Sequence, residues 1–381
     1  MKVNIGVVGR FHAFDLAREL KRHDLLNKLI TTYPKFKVKE WEIDKNDIVS
    51  ELPLEILNRY RKKLPLLSNN SINSFVNKQH AKNAARYLDE CDIYIGWSGS
   101  SLETIIKAKE QNKITILERG SSHYSHQMAT LLDEYKKYAN THFIPNYMAW
   151  QRELLEYELA DYISIPSSYV QRTFVENGIP EEKLLLNPYG VNLSKFEQVT
   201  KKDSIFRIIY AGGLSLRKGS HYLLQAFYEL NLPNCELWHL GSITDEIKPF
   251  INQYPCKNIS FFGHLQQDEL HKYYSQGSVF IMASIEEGMA MVQLQAMACG
   301  LPLICTMHTG GDDLMTANGK EGFAIPAQEV DALKEKILFM YDNQSLAKEM
   351  GQRAKKRVSN GFSWADYGNR YVKNLNTIIQ Q

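Results

Sequence analysis

Along the chain, short runs of Val, Ile, Leu and aromatic residues alternate with longer segments in which apolar positions recur every three or four residues. The short runs read as buried strands and the longer segments as helices that cover them, so the alternation predicts an α/β fold built on parallel sheets. In the first half it predicts strands at 3–8, 93–95, 114–117 and 162–165, with helices at 102–110 and 169–177, the latter closed by Gly178 ahead of Ile179 and Pro180. A second series follows the polar linker 199–204. It has strands at 205–211, 236–240, 259–262, 279–282 and 303–306 and helices at 220–230, 268–276 and 291–298. Two such domains in tandem turn the C-terminal ends of their strands towards each other, and ligands of these sheets bind outside those ends. The expected site is the interdomain cleft. Residues 35–73 show no clear pattern.

Composition narrows the function. At roughly 100–200 residues per domain, the 381 residues divide into two domains. The 45 basic and 43 acidic side chains leave a formal charge of +2, without the basic excess of nucleic-acid binders. With 44% hydrophobic and 23% charged residues the composition is that of an ordinary folded protein. The start, MKVNIGVVGR, turns polar too soon for a signal peptide, and no run reaches the roughly 18 apolar residues of a membrane span. A cytoplasmic protein is expected. Five scattered cysteines without a CxxC pair suggest neither a disulfide framework nor a zinc site, and there is no Asp-x-Asp to hold a metal.

Four loops carry candidate chemistry. Gly212-Gly213-Leu214-Ser215-Leu216-Arg217-Lys218-Gly219 joins a strand to a helix. Its glycines, free helix N–H groups and two cations suit a diphosphate; a plain tight turn with surface cations is the competing reading. It is neither GxxxxGK[ST] nor GxGxxG. In residues 284–302 an acidic loop, Glu286-Glu287, leads into a helix of small and apolar residues that stops at Gly300-Leu301-Pro302. Gly9-Arg10-Phe11-His12 and Glu118-Arg119-Gly120-Ser121-Ser122-His123 each follow a strand, which places both at the C-terminal edge of the first sheet.

Residues 284–302 resemble the GT-B glycosyltransferases of family 4, which carry a Glu in this loop, a second Glu eight residues on and an Ala-Met-Ala-x-Gly-x-Pro helix end. The resemblance continues in the loop 213–219, in Asn187-Pro188-Tyr189-Gly190-Val191-Asn192, Phe262-Gly263-His264-Leu265, Thr309-Gly310-Gly311, Gly322-Phe323 and Phe362-Ser363-Trp364. It implies a GT-B fold of two Rossmann-like parallel-sheet domains facing a cleft. Residues 1–199 would be the acceptor side, 200–361 the nucleotide-sugar side, and 362–381 a last helix packing back on the first domain. It further implies that Glu287 holds hydroxyls of the donor sugar, Glu286 being an exposed loop carboxylate. Gly212, Gly213, Arg217, Lys218, Gly288, Met289 and Ala290 would hold the diphosphate, and His264, Leu265 and Gln295 the nucleoside. His123 would act catalytically over the donor sugar, with His126 as a rival, and Gly9, Arg10, Phe11 and His12 would meet the acceptor or the donor phosphate. Two departures stand out: Gly213 replaces an Arg found in many relatives, and Gln295 replaces the second Glu. A carboxylate accepts from both hydroxyls of a ribose, whereas an amide accepts at one end and donates at the other.

The implied activity is retaining, metal-independent hexosyl transfer from a nucleotide-diphosphate sugar to a hydroxyl of a glycan or lipid-linked acceptor, without a cofactor, in cell-surface polysaccharide or glycoconjugate synthesis. The mixed basic and apolar segment 59–67 is read as a peripheral contact with the inner membrane surface. The alternatives are a nucleotide-sugar-binding partner subunit without catalysis, a UDP-sugar 2-epimerase and a phosphorylase. A dehydrogenase is disfavoured by the missing dinucleotide fingerprint.

Overall fold

The computed structural model describes residues 1–61, 69–138 and 143–380. The first sheet contains β1 (Val3–Val7), β2 (Leu26–Thr31), β3 (Ile48–Ser50), β4 (Ile93–Trp97), β5 (Ile114–Glu118), β6 (Tyr162–Ile165) and β7 (Leu184–Leu186). All its pairings are parallel, in the order β3-β2-β1-β4-β5-β6-β7. The second contains β8 (Phe206–Ala211), β9 (Cys235–Leu240), β10 (Ile259–Phe261), β11 (Val279–Met282), β12 (Leu303–Thr306) and β13 (Gly322–Ile325), parallel in the order β10-β9-β8-β11-β12-β13. The central strands β1, β4, β8, β11 and β12 are buried along their whole length, which is why their sequences are mostly apolar.

Four strands, β2, β3, β7 and β13, are not legible as apolar runs. β3, β7 and β13 lie at sheet edges and are half-exposed, and β2 opens with Leu26-Asn27-Lys28, so polar residues dilute the pattern in each. The helix expected at 268–276 shortens to Leu270–Tyr274, because Gln266–Glu269 forms a turn closed by a Glu269 N–H to Gln266 carbonyl bond.

In both sheets the strand order reverses at one point, between β1 and β4 and between β8 and β11. The loops leaving these strands open the crevices in which such sheets bind ligands. The last helix, Trp364–Ile379, starts in a capping box of Ser363 and Asp366 and lies on the first domain. A Cβ on its Gly368 would stand 2.4 Å from the Cβ of Glu19, so glycine permits the close approach to helix Ala13–Arg22. Of the basic segment 59–67, Arg59 pairs with Glu55 and Arg61 bonds to Asn58, while residues 62–67 lie outside the described residues. Among the described residues no helix is long and apolar enough to cross a membrane.

Candidate active site

The two domains enclose a cavity of about 760 Å³. The first domain contributes Val8, Phe11 and His12 after β1, Trp97, Ser98 and Ser100 at the end of β4, Glu118 to Ser121 at the end of β5, and Tyr189; the second contributes Gly212, Arg217, Lys218, Glu287, Met289 to Val292 and Gln295. The same topology that buries the strands therefore delivers polar loop residues to one cleft.

On the second-domain wall, Gly212 takes a φ of +130°, outside the range of ordinary side chains, and the chain turns there towards Arg217 and Lys218. Both cations meet carboxylates. Lys218 Nζ contacts Glu287 Oε2, and the Arg217 guanidinium donates to Glu286 Oε2 at 2.7 Å and lies 3.5 Å from Glu287 Oε1. Burial first, and then the neighbouring Arg217 guanidinium, pull the Lys218 ammonium down to about 7, against the Glu286 carboxylate, which favours its charged form. Gln295, on helix Met291–Ala298, accepts from the buried Tyr274 hydroxyl at 3.3 Å through Oε1, which leaves its NH2 group for the cleft.

Glu286 is not the exposed loop carboxylate expected. It is 0% exposed and crosses the domain boundary, accepting from Ser121 and Ser122 of the first domain through Oε1 and from Gln127 through Oε2. Burial raises its pKa, but Arg217 and the hydrogen bonds from Ser122 and Gln127 outweigh this and hold it at about 2.

His123 does not reach the cleft. It is the N-cap of helix Tyr124–Lys136, where Nδ1 accepts from the Ser125 N–H, and its ring packs on Tyr157 and Phe174 inside the first domain. Burial and then the Arg119 charge lower its pKa to about 4. His126 bonds to Tyr169 and does not line the cavity either. Among the described residues the one histidine lining it is His12, whose Nε2 lies 2.9 Å from Glu118 Oε2. Arg10 turns away and stacks over Trp41, while Gly9 is bonded to Thr31 and Thr32. Gly213, Gly288, His264 and Leu265 do not line the cavity; His264 is exposed, and Gly288 packs against Gly120. Glu118 and Tyr189 lie in segments that the sequence marks, but it assigns neither them nor Trp97 a role at the site; a carboxylate closing a parallel strand is a signal that could have found Glu118. No cluster of three or more metal-ligating side chains occurs among the described residues.

Residues 192–357 match the family model described as glycosyl transferases group 1. This segment resembles a group 1 glycosyltransferase domain. The chain is 27% identical over 246 residues to the capsular polysaccharide biosynthesis glycosyltransferase CapM of Staphylococcus aureus, covering 58% of this chain and 62% of that one. It is 24% identical over 215 residues to the putative colanic acid biosynthesis glycosyltransferase WcaL of Salmonella typhimurium, covering 53% of each. The chain thus spans about three-fifths of the length of the curated relatives it matches first. Sucrose-phosphate synthase from Thermosynechococcus elongatus superposes with a TM-score of 0.73 at 16% identity, covering 100% of this chain and 99% of that one. Anabaena HepE in complex with UDP-glucose superposes at 0.71 and 14% identity, covering 99% and 100%. These likenesses establish the GT-B fold.

Proposed function

We propose that the chain transfers a sugar from a nucleotide-diphosphate donor to an acceptor hydroxyl, with retention at the anomeric carbon and without a metal, in assembling a cell-surface polysaccharide. The observation that carries this reading is the cluster of Lys218, Arg217 and Glu287 on one wall of the cleft. Diphosphate oxygens compete with Glu287 for Lys218, and the released carboxylate accepts from hydroxyls of the sugar. One loop pair then serves both ends of the donor. As the donor bond breaks, the two cations stabilise the departing diphosphate in a cleft that excludes water, and positioning does much of the rest. Retention rests on the resemblance of residues 284–302 to family 4, in which the departing phosphate takes the acceptor proton on the same face. The capsular and colanic relatives support the polysaccharide setting, and the UDP-glucose complex of HepE supports the donor class.

Thermal stabilisation by UDP, GDP, ADP and their sugar conjugates tests the donor: a ligand at 100 times its Kd adds about 2.7 kcal/mol. No stabilisation by any of them would remove the reading. With the donor in hand, transfer should persist in excess EDTA and NMR of the product should show the donor's anomeric configuration. Activity that EDTA abolishes and magnesium restores would overturn metal independence.

A further inference from the structure

His12 stands at the start of helix Ala13–Arg22, yet its side chain makes no capping bond there. Its ring turns instead to the cleft wall, held between Tyr189 and Trp97 at centroid distances of 4.4 and 5.0 Å. Nε2 meets Glu118 Oε2 at 2.9 Å, and Nδ1 has no hydrogen-bond partner among the described residues. Glu118, the last residue of β5, is 3% exposed, and no Lys or Arg lies within ion-pair distance of it among the described residues. Its other oxygen accepts from the Tyr371 hydroxyl of the last helix at 2.7 Å. A buried carboxylate with one imidazole and one phenol as its partners is costly to keep for packing alone. What this arrangement does provide is a fixed ring. A carboxylate accepts only, so the nitrogen facing it must carry a proton, and in the neutral ring the other nitrogen keeps its lone pair.

We infer that Glu118 is a positioning residue for His12: it selects the Nε2–H tautomer, so that Nδ1 is offered to a sugar hydroxyl in the cleft, and Tyr371 anchors Glu118 in turn. The last helix, at the far end of the chain, is then part of the active-site machinery. The inference rests on the proposed transfer for its substrate, but not for its geometry. His12 faces Lys218 and Glu287 across the same cavity, which places it beside the sugar when the diphosphate is on the cations.

The test begins without any substrate. In the full chain labelled with 15N-histidine, with His12 assigned by its loss in His12→Gln, the ring at pH 8 should carry its proton on Nε2. Glu118→Gln, which can donate as well as accept, should move the ring towards the Nδ1–H form, and Tyr371→Phe should do so in part. A wild-type ring protonated on Nδ1 or on both nitrogens, or a Glu118→Gln spectrum unchanged from wild type, would overturn the inference. With UDP-glucose as the probe donor, Glu118→Gln should lower kcat by about tenfold to a hundredfold and leave UDP affinity by calorimetry unaltered. In the His12→Gln background the same change should add nothing; additive losses would show that Glu118 acts by another route. If UDP-glucose is not turned over at all, the transfer reading loses this donor, while the tautomer spectra still decide the role of Glu118.

Discussion

On the wall of the cleft, Lys218 is a cation whose proton is loosely held, because burial and Arg217 lower its pKa to about 7. A bound diphosphate favours the charged form and raises it again. UDP binding should therefore take up a proton above pH 7, and affinity should fall as pH rises from there. Calorimetry in buffers of different ionisation enthalpy reads both. Lys218→Ala should weaken UDP by about 1.5–3 kcal/mol and flatten the pH dependence; an unchanged slope would place the titrating group elsewhere. At Gln295 the amide oxygen already accepts from Tyr274, and on the proposed reading the side chain faces the donor's ribose. A carboxylate there can accept from Tyr274 with one oxygen and from the ribose with the other. Gln295→Glu should accordingly lower the donor KM a few-fold with kcat little changed, the signature of uniform binding. A raised KM would mean that the amide NH2 makes the contact that matters.

Helix Tyr124–Lys136 joins the two domains along one side of the cleft. Its Gln127 donates to Glu286, its Tyr135 donates to Glu246, and its buried Glu134 accepts from Tyr222 and Gln328 and is bonded to His221. Burial raises the pKa of Glu134, but bonds from His221, Lys137 and Tyr222 prevail and hold it at about 2. The helix is started by His123, so that residue's work is to aim the helix. His123→Ala should cost about 1 kcal/mol for the cap, and more for the lost packing on Tyr157 and Phe174. The folded pKa of about 4 lies below the usual 6.5, so the unfolded chain binds the extra proton first. Its contribution is complete above pH 6.5 and is lost as pH falls towards 4, by up to about 2 kcal/mol at pH 5. Urea unfolding at pH 7.5 and pH 5 should show that loss in wild type and a smaller one in His123→Asn, which keeps a capping oxygen. Full stability of His123→Ala combined with abolished turnover would return His123 to the chemistry.

In the whole molecule the domains also meet backbone to backbone at Gly288 and Gly120. A Cβ on Gly288 would lie 1.9 Å from the Gly120 carbonyl oxygen and 3.0 Å from Ser121 Cα, while the Gly288 carbonyl accepts from Ser167 at 2.8 Å. Gly288→Ala should hold the domains apart: kcat should fall, UDP affinity should survive on the second domain, and each domain should stay folded by circular dichroism. Unaltered kcat would show that this approach is not needed for turnover. The double α/β architecture is legible in sequence because apolar runs are local patterns. The edge strands are not, since an edge buries only part of each residue. Neither is the division of labour among Glu286, Glu287, His12 and His123. Adjacent carboxylates and two loop histidines are alike in sequence, and what separates them is burial and partners drawn from distant segments. Glu286 faces Ser122, 164 residues away, and Glu118 faces Tyr371, 253 residues away, so only the tertiary structure decides which carboxylate joins the domains and which histidine looks into the cleft.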